Sequence, residues 1–152
     1  MTVKNSALKS DIQNSFKLSI GTVYFFENYL LTEMDEGANV DLINGQELIY
    51  AIREHFSDGR PYGMICNRIN SFSINLLDLE KLHNAANGLV ARAIVTYSKQ
   101  SEKAIELENH FCSFPNKKQF KSLLSADKWV QEQLNLFKLT NKIPRLNKFH
   151  QA

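Results

Sequence analysis

At 152 residues, 43% hydrophobic and 22% charged, the chain is long enough to bury roughly two thirds of its unfolded surface in one core and too apolar for intrinsic disorder. Its net charge of +2 is dispersed along the sequence, which argues against the clustered basic face of a nucleic-acid binder. No run approaches the roughly 20 apolar residues of a membrane span, residues 1–13 lack the apolar centre of a secretion signal, and Cys66 and Cys112 read as small buried hydrophobes, so a reduced, cytoplasmic protein with free thiols is expected.

Residues 1–14 are polar and read as a lead-in. From Phe16 the pattern changes: Phe16, Leu18 and Ile20 alternate with Lys17 and Ser19, the period of a half-buried strand, and Gly21-Thr22 offers a turn into residues 23–27. Residues 29–34 follow Asn28, so three strands form an antiparallel meander. Residues 35–39 read as a loop. Ile43, Leu48, Ile49, Ile52 and Phe56 then share one face of a helix that begins near Asp41, its N-cap, and ends before Ser57-Asp58-Gly59.

Arg60-Pro61 launches an apolar strand over residues 62–67. The next stretch, residues 67–75, is the most polar one between two core elements, and it lies past the carboxyl end of that strand. In open α/β sheets ligands bind at that edge, which makes Asn67, Arg68, Asn70, Ser71 and Ser73 the candidate binding residues; the plain alternative is a solvated turn. A helix over residues 76–86 closes at Asn87-Gly88.

Residues 89–98 are a nearly unbroken β-branched and apolar run, as expected of a strand buried on both faces. A helix capped by Ser98 or Ser101 follows, with Ala104, Leu107, Glu108 and Phe111 on one side, and Phe114-Pro115-Asn116 ends it. Residues 117–123 alternate and carry lysines, the marks of an edge strand. Ser125 caps a last amphipathic helix bearing Trp129, Val130, Leu134 and Phe137, and residues 138–152 form a basic tail that either meets a partner through Ile143, Leu146 and Phe149 or frays. The domain proper spans residues 15–137.

Catalytic signatures are missing. His55, His83, His110 and His150 show no i, i+4 metal pair, and His110-x-Cys112 alone does not make a zinc site. The six glycines stand apart, with no phosphate loop and no dinucleotide fingerprint, and no nucleophile elbow occurs. Neither a metal nor a cofactor is expected. Ten Phe and five Tyr are explained by packing before a pocket, yet an aromatic-lined cavity for a small apolar ligand is the alternative they leave open.

With this order of elements, and with the closing segment Phe120-Lys-Ser-Leu-Leu-Ser-Ala-Asp-Lys-Trp-Val, the chain resembles the SpoIIAA-like proteins, the group that takes in the bacterial STAS domains. The resemblance covers residues 16–137. It implies an α/β fold, a mixed sheet of four to five strands with helices packed mainly on one face. It also implies a switch, since in anti-sigma antagonists of this kind a serine at the start of the helix after a core strand is phosphorylated and the added charge alters partner binding. The matching hydroxyls here are Ser71 and Ser73, although the family's Asp-Ser-Ser/Thr-Gly pattern does not occur. The expected function is that of a non-enzymatic regulatory domain binding a protein partner, or a second copy of itself, through residues 67–77. An enzyme using His83, His110 or Tyr97 is the remaining class.

Overall fold

The computed structural model describes the backbone over residues 1–151 and the side chains over residues 1–141. Strands β1 (Asn14–Leu18), β2 (Gly21–Phe25) and β3 (Tyr29–Met34) form the expected antiparallel meander, with the first turn at Ser19-Ile20 instead of Gly21-Thr22. Gly21 is already paired to Leu18 and Met34, and a Cβ there would run into the β3 backbone, so only glycine lets the strands close at that point.

The chain then adds parallel strands in one direction: β5 (Tyr62–Arg68) beside β3, β7 (Leu89–Thr96) beside β5, and β8 (Lys117–Phe120) beside β7. The sheet therefore has six strands in the order β1-β2-β3-β5-β7-β8, more than the four to five implied by the resemblance, because the hairpin strand β1 extends one edge and β8 the other. Between them, β4 (Asn39–Val40) and β6 (Ser73–Ile74) pair as a small parallel sheet where loops were expected.

Three crossovers of one hand, stepping across the sheet in one direction, put their helices on the same face. These are α1 (Gln46–His55), α2 (Leu79–Ala85) and α3 (Lys99–Glu108). Helix α4 (Leu123–Gln151) covers the other face. There Leu123, Ala126, Val130 and Leu134, spaced three to four apart, pack on Tyr24, Tyr29, Leu31, Ile65, Ala93 and Val95. The Tyr29 hydroxyl donates to Asp127 Oδ1 at 2.9 Å and ties the start of α4 to the sheet. On the α1 face, Phe25, Leu30, Tyr62 and Met64 meet Ala51, Ile52 and Phe56.

Several boundaries depart from the expectation. Asp41 does cap, but it caps a preceding turn: its Oδ1 accepts from the Ile43 and Asn44 amides, and α1 starts only at Gln46. Ile43 is consequently 85% exposed and does not face the core. In α3 the buried residue is Ile105, while Leu107 is exposed and Phe111 lies exposed beyond the helix end. Ser98 caps α3 by accepting from the Ser101 amide, and Ser122, not Ser125, caps α4 by accepting from the Ser125 amide. The basic stretch from residue 138 continues α4; the reading of Ile143, Leu146 and Phe149 falls outside the described side chains.

The polar lead-in also differs from expectation. It folds into two 3-10 turns, Val3–Asn5 and Ala7–Asp11, which bury Val3 and Leu8 in the α4-side core.

Candidate functional site

Because side chains alternate along a strand, Thr32 and Met34 of β3, Met64, Cys66 and Arg68 of β5, and Arg92 and Ile94 of β7 all project from the α1 face. Helix α1 covers them with Leu48, Ile49 and Ile52, and α2 with Leu79, Leu82 and His83. The two layers do not close completely. They leave a partly open cavity of about 110 Å³, with Val40, Phe72 and Ile74 of the small sheet and its connection at the rim.

The walls are aliphatic. The aromatic residues pack on one another, as their periodicity implied, and do not line the cavity as the alternative had it: Phe56 lies flat on Tyr62 at 4.4 Å, Phe25 on His55 at 4.4 Å and Phe26 on Tyr29 at 4.5 Å. Among the cavity-lining residues only Phe72 and His83 carry a ring.

At the sheet side of this cavity stand two cations. Arg68, 5% exposed, gives Nη2 to Glu108 Oε2 at 2.8 Å, and its guanidinium lies 4.4 Å from the centre of the Phe72 ring. Arg92 gives Nη2 to His83 Nδ1 at 3.1 Å. As arginine only donates, Nδ1 of His83 accepts and the ring is neutral. Burial first, then the positive charges of Arg92 and Lys117, pull its pKa down to about 4. Arg68 Nη1 and Arg92 Nε are buried and meet no acceptor among the described residues. Burial raises the pKa of the Cys66 thiol, against the opposing pull of Arg92 and Arg68, so the sulfur is held as a thiol.

A second polar cluster occupies the opposite face, at the carboxyl ends of β3, β5 and β7. Asn67, 1% exposed, donates from Nδ2 to Glu33 Oε2 at 2.7 Å and to the Met1 carbonyl at 2.9 Å, and its Oδ1 accepts from the Tyr97 hydroxyl at 2.7 Å. Glu33 Oε2 also accepts from the Val3 amide at 2.8 Å. The N-terminal turns are thereby clamped over the strand ends.

The five residues singled out from the sequence are thus divided. Asn67 and Arg68 are neighbours on one strand and point to opposite faces. Asn70 donates from Nδ2 to the Met34 carbonyl at 3.0 Å. Ser71 is exposed, its amide held by Glu36 Oε2 at 2.8 Å, and Ser73 bridges the small sheet through a hydrogen bond to Asn39 Oδ1. Of the residues considered for catalysis, His83 lines the cavity, Tyr97 lies on the other face and His110 is exposed beyond α3. Arg92 and Glu108 were not singled out, and Cys66 was read as a small buried hydrophobe. An arginine inside a run otherwise buried on both faces was the available signal, since a buried guanidinium needs a partner.

No family model and no curated protein matches the sequence. Among solved structures, an uncharacterised protein of the DUF3478 family from Shewanella loihica PV-4, described as having a SpoIIAA-like fold, superposes with a TM-score of 0.50 over 71% of this chain and 90% of its own, at 14% identity. The fold is SpoIIAA-like. Residues 67–77, the stretch set out as the candidate binding region, run along the cavity with Arg68, Phe72 and Ile74 in its lining. Among the described residues no helix is long and apolar enough to cross a membrane, and no three His, Cys, Asp or Glu side chains gather as a metal site would require.

Proposed function

We propose that this SpoIIAA-like domain is a non-enzymatic binding module that holds a small apolar ligand between the sheet and helices α1 and α2. The single observation behind this reading is the aliphatic cavity of about 110 Å³, of the same order as the roughly 150 Å³ apolar cavity that admits benzene. Its polar groups are poorly suited to bond making. His83 is a neutral ring whose Nδ1 is occupied and whose pKa of about 4 makes it a weak base, and burial holds Cys66 as a thiol. Binding and positioning remain as the chemistry they can do.

The test is native mass spectrometry on the protein purified from its own host, together with titration of neutral probes such as hexanol and benzene followed by methyl chemical shifts. We expect an adduct or saturable shifts at Ile49, Ile52 and Met64, both lost when Leu82→Phe fills the space. A clean apo mass with no probe response would overturn the reading.

A second reading, protein contact by the 67–77 connection and its surroundings, is favoured by a different observation. Ile43 and Leu77, 85% and 79% exposed, stand on adjoining turns joined by the Leu42 amide and Asp78 Oδ2 at 2.9 Å. Self-association or capture of a protein partner abolished by Ile43→Asp with Leu77→Asp would support it; unchanged behaviour would dismiss it.

A further inference from the structure

The cavity is apolar along its length but not neutral. Its lining carries two guanidinium groups, those of Arg68 and Arg92, against a single carboxylate, that of Glu108. The other titratable lining groups, His83 and Cys66, are held uncharged by burial, and Lys117 adds a further positive charge near His83. Among the lining groups one positive charge is therefore left without a counter-charge, Lys117 lying outside the lining with its Nζ given to the Cys112 carbonyl.

The way the two arginines are held sharpens the point. Glu108 takes Arg68 through Nη2 alone, at 2.8 Å, and the Phe72 ring covers the guanidinium face at 4.4 Å. His83 takes Arg92 through Nη2 alone, at 3.1 Å. Each side chain is fixed by a neighbour on one edge, and each keeps a buried N–H, Nη1 of Arg68 and Nε of Arg92, that meets no acceptor among the described residues. Arginine cannot discharge itself by losing a proton at any ordinary pH, so only an acceptor can satisfy these groups, and an anionic acceptor does so best. Pairing by Glu108 alone has left the site cationic, and the cost of an unpaired charge is greatest at Arg68, which is buried.

Resting on the reading of the cavity as a ligand site, we infer that its ligand is a small amphiphilic carboxylate: a short alkyl chain or single ring that fills the aliphatic space and ends in a carboxylate received by Arg68 Nη1, with Arg92 Nε as the neighbouring donor. A singly charged carboxylate matches the one excess positive charge; a doubly charged phosphate ester overcompensates it. The volume of about 110 Å³ restricts the body to roughly one ring or a few methylenes.

The experiment compares hexanoate, hexanol and hexyl phosphate by calorimetric titration into the wild-type protein, Arg68→Met and Arg92→Met. Hexanoate should bind at least ten-fold more tightly than hexanol and than hexyl phosphate. Arg68→Met should bring hexanoate down to parity with hexanol while hexanol itself binds as before, and Arg92→Met should reduce the preference in part. Because Arg68→Met strands Glu108, the pair Arg68→Met with Glu108→Gln serves as the folding control and should likewise bind both probes equally. Equal affinity for hexanoate and hexanol in the wild type, a ten-fold preference that survives the loss of Arg68, or a preference for hexyl phosphate would overturn the inference while leaving the cavity reading intact. Failure of all three probes to bind would remove both.

Discussion

Asn67 Nδ2 donates to Glu33 Oε2 at 2.7 Å across neighbouring strands β5 and β3, and the same carboxylate oxygen accepts from the Val3 amide at 2.8 Å. A residue marked by the sequence as a loop-end ligand is thus part of the fold's own fastening, because it is what lets a buried carboxylate and the N-terminal turns share one place. Replacing Asn67 by Ala removes one of the two donors to Glu33, the donor to the Met1 carbonyl and the nearer of the two acceptors of the Tyr97 hydroxyl together. We expect a loss of about 2–4 kcal/mol, read as a lower urea midpoint with an unchanged slope. Hydrogen exchange at the Val3 amide should accelerate more than the global loss explains; protection that merely tracks global stability would show the clamp to be unimportant.

Periodicity made much of this architecture legible. Alternation in residues 16–20 and the breaks after them marked the meander, although Phe16 proves to be 42% exposed; the lysines of residues 117–118 marked the edge strand; and of the two serines offered as the α3 cap, Ser98 serves, all of them local patterns. What stayed hidden depends on contacts far along the chain. Val3 is core through packing against residues far along the chain, with its amide taken by Glu33 thirty residues on, and β4 and β6 are two residues each, too short to show alternation. The candidate site divided for the same reason: Asn67 and Arg68 look like one polar cluster in sequence, yet strand geometry sends them to opposite faces. Arg92 was visible as a charge in a buried run, but its meaning required His83, nine residues earlier and on another element.

Gly63 of β5 faces α4, and a Cβ built there would collide with Val130 Cγ1. Glycine is what allows the helix to lie this close to the sheet. Gly63→Ala should therefore cost about 1–3 kcal/mol through overpacking. Shortening the helix side chain gives the methyl room, so Gly63→Ala with Val130→Ala should be more stable than the two single losses sum to. Strict additivity in that double-mutant cycle would mean the contact does not set the helix position.

A negative charge at residue 71 meets an existing one. The Ser71 amide donates to Glu36 Oε2 at 2.8 Å and the Gly37 amide donates to the Ser71 carbonyl at 2.7 Å, so the two turns beside the small sheet are clasped through a carboxylate. A phosphate on Ser71, or the mimic Ser71→Asp, should repel Glu36 and loosen that clasp. The expected destabilisation is about 0.5–1 kcal/mol at this exposed position, with faster exchange of the Ser71 and Gly37 amides. Glu36→Gln should remove the sensitivity to Ser71→Asp. If Ser71→Asp is as harmful in the Glu36→Gln background, the effect does not run through that carboxylate.

His83 makes the cavity wall sensitive to acid. Burial, then Arg92 and Lys117, bring its pKa down to about 4 in the folded protein, against about 6.5 in an unfolded chain. As pH falls through 6.5 the unfolded state takes up a proton that the folded state refuses until about pH 4, so across that window the unfolded state binds more protons and stability must fall with acidification; above 6.5 the contribution is complete. Since the ring is only partly buried, solvent screening limits the loss to on the order of 1 kcal/mol. Gln at this position keeps an acceptor for Arg92 Nη2 and cannot titrate. Urea midpoints at pH 7.5, 6 and 5 should therefore decline more steeply for the wild type than for His83→Gln. Parallel declines would place the acid sensitivity elsewhere, since the only titrating group removed is the imidazole that Arg92 holds neutral.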